Sequence, residues 1–586
     1  MILDTNQVKQ LSDNLPQAHL IYSGYVMDGS KAGVAEALWR VIPSTMGEAA
    51  SLLKGVRERY GSRPEELEGF RKAVRGYQRE LGLLTDRVGE SIDALDAGVA
   101  EAGQQPMCLA GTSLIMNKIA YAHTLCGVGG DSVPIFYNAD YDGVQAELLN
   151  MRLPSPSSRG LLITYPAGQE YEGSPIYMLP NPPEEWLKET EEKITGNYKG
   201  IMKGVKPETQ ERVMRNLDHV LTVIRVAYYS TDNVSDWAAK IIGTLVNLEA
   251  GLGVPIVSPS KPEIRPFFQR GYETLLSEPN RTGFIEASNE AAELVEAHGF
   301  RPQIGRRRRD YVPFFLECSS PGCNRARIEP RYVDGGGTAS VKGVCPRCET
   351  VYEYSFDASS PDLSGLIDWI SPRVDSRQLI VDSVVPVLAH IGGPGETSYY
   401  AEVIPAAQRL GQPFPLYLRY TRAYYNTPWN EAYGEEVKAA GHPTILRDSL
   451  FDALGMWVTA RNDGDGEALR RSHYAIEASI EETYSSLVEE AEALQGEVDS
   501  IKGRLGEAEN RGPLIKEMRE KQDALSMVDQ YLSWAYGRFS PERRGQEVSW
   551  AWIDLAAVTG VTDVVGVYLR QYSEQTPNSS MYFMNT

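Results

Sequence analysis

An α/β protein is predicted by three observations. Between about residues 100 and 290, short apolar runs rich in Val, Ile and Tyr alternate with segments of helical spacing. The alternation returns after about residue 370, and the last part of the chain carries a heptad seam instead of strands. Strands alternating with helices point to a parallel sheet with crossover helices, and the interval from about 290 to 370, where the pattern breaks, reads as an insertion into one sheet domain.

The 586 residues allow roughly three or four units of ~150 residues. With 42% hydrophobic and 23% charged residues the composition is globular. A formal net charge of -21 argues against a broad nucleic-acid or anionic-membrane surface. The local exception, Arg306 to Arg309, reads as a solvated loop, with a phosphate or RNA contact as the alternative. No stretch approaches the ~18 apolar residues of a spanning helix, and no apolar leader follows Met1, so a cytoplasmic protein is expected. Six cysteines, four in two close pairs and two alone, suit a reducing compartment.

Residues 1 to 100 read as helical, with Phe70, Val74, Tyr77, Leu81, Leu84, Val88, Ile92, Leu95 and Val99 spaced at threes and fours. SVPIFYNAD, RGLLITYP and GVPIVSPS are the clearest strands of 101–290, and DSVVPVLAHIGG and FPLYLRY add two in 370–455. These two segments form the split core, with 291–369 inserted. From Ile476 the apolar positions Ile480, Tyr484, Leu487, Ala491, Leu494, Val498, Ile501, Leu505 and Ala508 step by four and three, which is a heptad seam. Gly512-Pro513 stops one helix and starts another, whose Leu514, Met518, Leu525, Val528, Leu532 and Ala535 resume the spacing. An antiparallel hairpin over 466–540 follows, its first arm about 50 Å long at ~1.5 Å per residue, used for packing or dimerisation or as a cover over a ligand. Residues 541–586 are expected to pack on the core.

Within the insertion, Cys318 and Cys323 are followed by Cys345 and Cys348, each pair carrying Pro or Gly, over about 314–356. The double pair predicts a zinc ribbon, and four thiolates fill a tetrahedral ion, so the metal is structural. Cys108 and Cys126 read as small buried apolar residues.

Two loops carry the chemistry. In AGQQPMCLAGTSLIMNKIAYAHTLCG a glycine-containing loop precedes a helix opened by Thr112 or Ser113 and closed by Gly127, so its amides could hold an anion, with Gln104, Gln105 and Lys118 as further donors. Asp140 and Asp142 then end the strand VPIFYNAD, where ligands bind in open α/β sheets, and could hold magnesium or an ammonium group in the same cleft. The second loop, AHIGGPGETSYYAEV, places Gly392, Gly393, Pro394 and Gly395 at the start of a helix. The glycines permit unusual backbone angles and close approach. Glu396, Tyr399 and Glu402, three apart, are expected to face one way, toward an amine or magnesium, and Glu396 alone would also cap the helix.

GQQ, Gly111, Lys118, a strand ending Asp-x-Asp, Ser376-Arg377, GPGExxYxxE, Arg419 after a strand, and a long helical hairpin come in this order over roughly residues 100 to 540. Together they resemble the bacillithiol biosynthesis cysteine-adding enzyme family. The resemblance implies a Rossmann-type core with connecting insertions and a C-terminal coiled coil, often a homodimer. It implies a ligase joining the carboxyl of cysteine to the amine of glucosaminyl malate, with ATP and magnesium expected for activation. On this basis Gly103, Gln104, Gln105, Asn117, Arg377, Gly393, Gly395, Glu402 and Arg419 are binding candidates, and Lys118, Asp140, Asp142, Glu396 and Tyr399 catalytic ones. Arg377 and Arg419 suit substrate carboxylates.

The chain departs from the family where Asn117-Lys118 replaces His-Lys and Asp140-Tyr141-Asp142 replaces Asp-His-Asp, losing two imidazoles. His390 replaces an apolar residue and is expected in the core, Pro405 is expected to interrupt the helix, the stretch before GQQ is a weak strand, and the ribbon is an addition. An altered amino acid or acceptor, RNA included, is the alternative substrate; a non-catalytic small-molecule or RNA-binding relative is the alternative function.

Overall fold

The computed structural model describes residues 15–61, 64–507, 510–538 and 545–586. Ala508, the last heptad position, lies outside them, as do residues 1–14 and 539–544. Five strands form the central sheet: β1 (Val99–Gln104), β2 (Val133–Asn138), β3 (Ile256–Val257), β4 (Val387–Gly392) and β5 (Leu416–Arg419). They lie in the order β5-β4-β1-β2-β3, all parallel. This is the order of a Rossmann half-sheet extended on both sides of its first strand. Strands in such a sheet are covered on both faces and need apolar side chains throughout, which is why β4, Val-Leu-Ala-His-Ile-Gly, is buried at every position. β1 is central although it reads Val-Ala-Glu-Ala-Gly-Gln, because Glu101 is compensated by partners from other elements.

Helix α1 (Leu114–Gly129) links β1 to β2 and buries Ile115, Met116, Ile119, Ala120, Ala122 and Leu125. It starts after Ser113 and ends at Gly130 rather than Gly127, and Ser113 makes no capping bond. Helix α2 (Pro394–Arg409) follows β4 and runs through Pro405 without ending there. A proline inside a helix forfeits one backbone bond, but Ala401, Val403, Ile404, Ala406 and Ala407 around it are buried, and that packing keeps the turn helical. RGLLITYP supplies Leu161–Thr164, which pairs antiparallel with Asn150–Leu153 outside the main sheet.

Between β3 and β4 the chain makes two small antiparallel sheets. One joins Phe314–Glu317 to Arg327–Ile328 and Ile370–Pro372; the other joins Arg331–Asp334, Thr338–Val344 and Val351–Asp357. The hairpin consists of α3 (Gly466–Glu507) and α4 (Gly512–Tyr536). At 42 residues α3 is about 63 Å long, longer than expected because it starts ten positions before Ile476. Its seam residues Ile480, Leu487, Ala491, Leu494, Val498 and Ile501 are buried, as are Val528, Leu532 and Ala535 of α4. The C-terminal segment returns to the core: Met581–Asn585 pairs with Arg422–Asn426, and Trp552 donates from Nε1 to the carbonyl of Leu109 at 2.8 Å. Among the described residues no helix is long and apolar enough to cross a membrane.

Candidate active site at the sheet's switch point

β1 and β4 are neighbours whose continuations run opposite ways across the sheet, toward β2 and toward β5. The crevice beyond the carboxyl ends of such a pair is where open α/β sheets bind ligands. A cavity of about 450 Å³ lies there. β1 and its loop contribute Gly103, Gln104 and Gln105, and α1 contributes Lys118. The loop after β2 contributes Tyr141 and Asp142, the start of α2 contributes Gly393, Gly395, Glu396 and Tyr399, and the helix Arg377–Asp382 contributes Arg377. The two glycine loops, nearly 300 positions apart in sequence, therefore share one opening.

Gly392, Gly393 and Gly395 all avoid positive φ, so backbone angle does not require them, and a Cβ on Gly395 would meet nothing within 4 Å. A Cβ on Gly392 would sit 2.2 Å from the Tyr417 hydroxyl, so that position admits no larger residue. Glu396 accepts the Gly393 amide at 2.8 Å, closing the first turn of α2, and the same oxygen meets Lys118 Nζ at 2.5 Å. Lys118 also donates to the Gly103 carbonyl at 3.1 Å and to Gln104 Oε1 at 3.3 Å, so all its protons are engaged.

Behind this pair runs a buried chain of charge. His390 lies 3.3 Å from Glu396 on one side and 3.3 Å from Glu101 on the other, and Arg377 donates to Glu101 at 3.2 Å and to the Tyr400 hydroxyl at 2.9 Å. His390 is fully buried as expected, between two carboxylates and beside the rings of Tyr400 and Tyr417. Burial opposes ionisation of Glu396, yet Lys118 and His390 outweigh it and hold the carboxyl well below its usual range. Glu101 is depressed in the same way: burial works against it, and hydrogen bonding to His390 and the charge of Arg377 prevail.

Four predicted site residues fall elsewhere. Glu402 accepts the Ile304 amide at 2.9 Å; at about 100° per residue it has rotated well away from Glu396, which three-residue steps conceal. Burial pushes its carboxyl up to about 7. Arg419 is buried against Ser23 and does not line the cavity. Asn117 faces a polar core, donating to the Thr421 carbonyl and to Glu547, each at 2.8 Å. Asp140 points into a second cavity, so the two aspartates do not share a cleft. Conversely, sequence reasoning missed Glu101, whose signal was a lone carboxylate in a buried strand, and Glu147, Gln303, Tyr420 and Val548, which carry none. Tyr141, at a position of a family histidine, does line the cleft.

In the insertion, the sulfurs of Cys318, Cys323, Cys345 and Cys348 all lie within 4.8 Å of one another. Tetrahedral zinc with ~2.3 Å bonds requires sulfurs ~3.8 Å apart, so the donor set fits that ion. The Arg347 amide points at Cys345 Sγ at 3.4 Å, as in a metal knuckle. Cys108 and Cys126 are buried. In the arginine run, Arg306 pairs with Glu293 and Glu296, Arg307 with Asp375 and Arg308 with Asp310. These carboxylates leave little charge there for a nucleic acid.

Residues 187–420 match the family described as "Bacillithiol biosynthesis BshC, N-terminal Rossmann-like domain". Over those residues the chain is similar to the Rossmann-like domain of the BshC family. Among its relatives, the protein named "Putative cysteine ligase BshC" of Bacillus cereus (strain AH187) is 22% identical over 345 residues, 57% of each chain. Its namesake in Chlorobaculum tepidum is 28% identical over 123 residues, 20% of this chain and 22% of the relative. The one in Prosthecochloris aestuarii is 27% identical over 182 residues, 30% of each. The chain thus matches these BshC proteins over 22% to 57% of their length. These relatives are named "Putative cysteine ligase", and the matched family is described by bacillithiol biosynthesis.

Proposed function

We propose that the chain is an amide-forming ligase that joins the carboxyl of cysteine to the amine of glucosaminyl malate, or a closely related amino acid–amine pair. The supporting observation is the convergence of Gln104, Gln105 and Lys118 with Glu396 and Tyr399 on one cavity at the switch point. Amide formation from a free carboxylate is uphill in water, so ATP activates the carboxyl, and the amine then displaces the activating group. Asp142 and Glu147 are the cleft carboxylates that would hold magnesium, which would neutralise phosphate charge, because Glu396 is already committed to Lys118 and the Gly393 amide.

Glu396, held ionised, is a weak base. Its role is to fix the Lys118 ammonium beside the reacting carboxyl, where a fixed positive charge favours developing oxyanion. Burial and the Glu396 charge raise the Tyr399 pKa, so its hydroxyl stays protonated and donates. The four cysteines hold a structural zinc, the hairpin is the arm of a homodimer, and the protein works in the cytoplasm.

The test mixes the purified protein with cysteine, glucosaminyl malate, ATP and magnesium and follows the amide by mass spectrometry. Product that disappears in Glu396→Ala supports the reading. Absence of product, with no ATP cleavage for any of the twenty amino acids, favours a binding protein instead.

A further inference from the structure

The cations that line the cleft, Lys118 and Arg377, are spent on protein partners. Lys118 is saturated by Glu396, Gly103 and Gln104, and Arg377 is held by Glu101 and Tyr400. Arg327 differs. It belongs to the four-cysteine insertion, on the strand Arg327–Ile328, four residues after Cys323, and stands behind Asp142 without itself lining the cavity. Its backbone N–H donates a hydrogen bond to the Gly173 carbonyl at 2.8 Å, and its guanidinium lies 4.0 Å from the centre of the Phe315 ring. Yet its Nε is buried without a partner, and its nearest carboxylate, Asp142 Oδ1, is 3.9 Å away, too far for a hydrogen bond.

The neighbouring arginines are satisfied: Arg265 and Arg325 donate to Glu317 at 3.1 and 2.9 Å, and Arg347 to the carbonyls of Cys323 and Glu172 at 2.5 and 2.6 Å. Among the described residues the Arg327 guanidinium donates no hydrogen bond. A desolvated cation with unspent donors is costly unless an anion completes it. Gly143 lets the backbone come close to the guanidinium, since a Cβ there would stand 3.3 Å from it. Asp142 itself lines the cleft and turns its other oxygen to Gln105 at 2.9 Å.

We propose that Arg327 binds an oxyanion of the substrate at the Asp142 end of the cleft, making the inserted ribbon part of the binding site. The proposal rests on the reading of this cleft as the ligase site. The anion is a carboxylate of an acidic acceptor or a phosphate of a nucleotide; a planar guanidinium takes either through two parallel bonds.

Calorimetric titration of the zinc-loaded 586-residue chain with malate, and separately with inorganic phosphate, tests it on the unaltered chain, Arg327→Gln and Arg327→Lys. Zinc content and near-ultraviolet circular dichroism establish that the variants are folded. One probe is expected to bind the unaltered protein, with the affinity falling about 10- to 100-fold in Arg327→Gln and less in Arg327→Lys. Preference for malate assigns the subsite to the acceptor, preference for phosphate to the nucleotide. The proposal is overturned if neither probe binds the unaltered protein at millimolar concentration, or if folded Arg327→Gln binds as tightly as the unaltered chain. Amide synthesis measured in parallel separates the two readings. Synthesis with binding indifferent to residue 327 removes this inference alone; Arg327-dependent binding without synthesis removes the ligase reading and leaves the anion subsite.

Discussion

Asp140 and Asp142 follow the same strand two residues apart, and they face different rooms. Asp142 lines the cleft, with Gln105 on one oxygen and the unfilled guanidinium of Arg327 near the other. Asp140 lines a second cavity of about 470 Å³, where it accepts from the Ser258 hydroxyl at 2.5 Å, the Ser260 amide at 3.2 Å and the Ser260 hydroxyl. Around it Lys261 pairs with Asp236 at 2.8 Å and Glu80 at 3.0 Å, and Arg265 with Glu317 at 3.1 Å. Cavity size does not separate the two rooms. Completeness does: the second network satisfies its own charges and holds the fold, whereas the cleft leaves donors for something else.

The largest expected effect breaks the cleft from inside. Glu396→Ala leaves the Lys118 ammonium, 2% exposed, without its counter-ion and frees the Gly393 amide. Leaving one partner of a buried pair uncompensated costs about 3–5 kcal/mol, which urea unfolding will read. Loss of the fixed charge is expected to lower kcat/KM by about 100-fold or more. A variant that stays as stable and as active as the unaltered chain would make the ion pair incidental.

The second effect reaches the cleft from outside. Arg347 in the metal knuckle ties Cys323 to Glu172, and the Asn324 side chain binds the Glu170 carbonyl at 3.0 Å, so residues 170–173 connect the cysteine cluster to Arg327. The Ile176 amide then donates to the Asp142 carbonyl at 2.8 Å. Cys345→Ser, or removal of zinc by a chelator, should lower bound metal from about one per chain and weaken malate or phosphate binding about tenfold. Unchanged binding by a zinc-free protein would uncouple the ribbon from the cleft.

The sequence made the fold legible where one principle acted alone. The buried apolar runs Val387–Ile391 and Leu416–Leu418 announced their strands, and the paired cysteines announced their cluster, because spacing is all that these features require. β1 was faint because its Glu101 is tolerated only through Arg377 and His390, which arrive from nearly 300 positions away. The same distance explains the site. Gly103–Gln105 and Gly393–Tyr399 could be matched as motifs, but Asn117, Glu402 and Arg419 are aimed by partners such as Glu547, Ile304 and Ser23, which local pattern does not reveal. Arg327 could be found only from what it fails to touch.

Closed networks also predict a pH dependence. Burial raises the carboxyls of Glu547 and Asp554 to about 7, with Tyr198 donating to Asp554 at 2.8 Å. These are acids whose folded pKa exceeds the unfolded one, so between about pH 4 and 7 the folded chain holds protons that the unfolded chain has released. Stability from these groups is therefore fully present below that window and declines as pH rises through it. Urea unfolding at pH 5 and 7.5 should show the decline, on the order of 1 kcal/mol per pKa unit for each group, and Asp554→Asn should flatten it. A slope unchanged by Asp554→Asn would mean that the group titrates normally.

The smallest effect is expected where the second room is touched. Burial pushes the Asp140 carboxyl up to about 6, against the hydrogen bonds of Ser258 and Ser260. In Asp140→Asn the amide oxygen can keep accepting the Ser260 amide, and the serine hydroxyls, which rotate freely, can turn to accept from the new NH₂. Near pH 5 the native carboxyl is mostly protonated, so the exchange there is between two neutral groups and should cost less than about 1 kcal/mol. Above pH 7 the variant escapes the cost of a buried charge and should match or exceed the unaltered chain in unfolding experiments. Its kcat/KM should stay within about threefold, because a neutral swap behind the loop removes less than ~0.7 kcal/mol from the transition state. A large loss of activity with stability intact would join the two rooms into one site and erase the contrast between these aspartates.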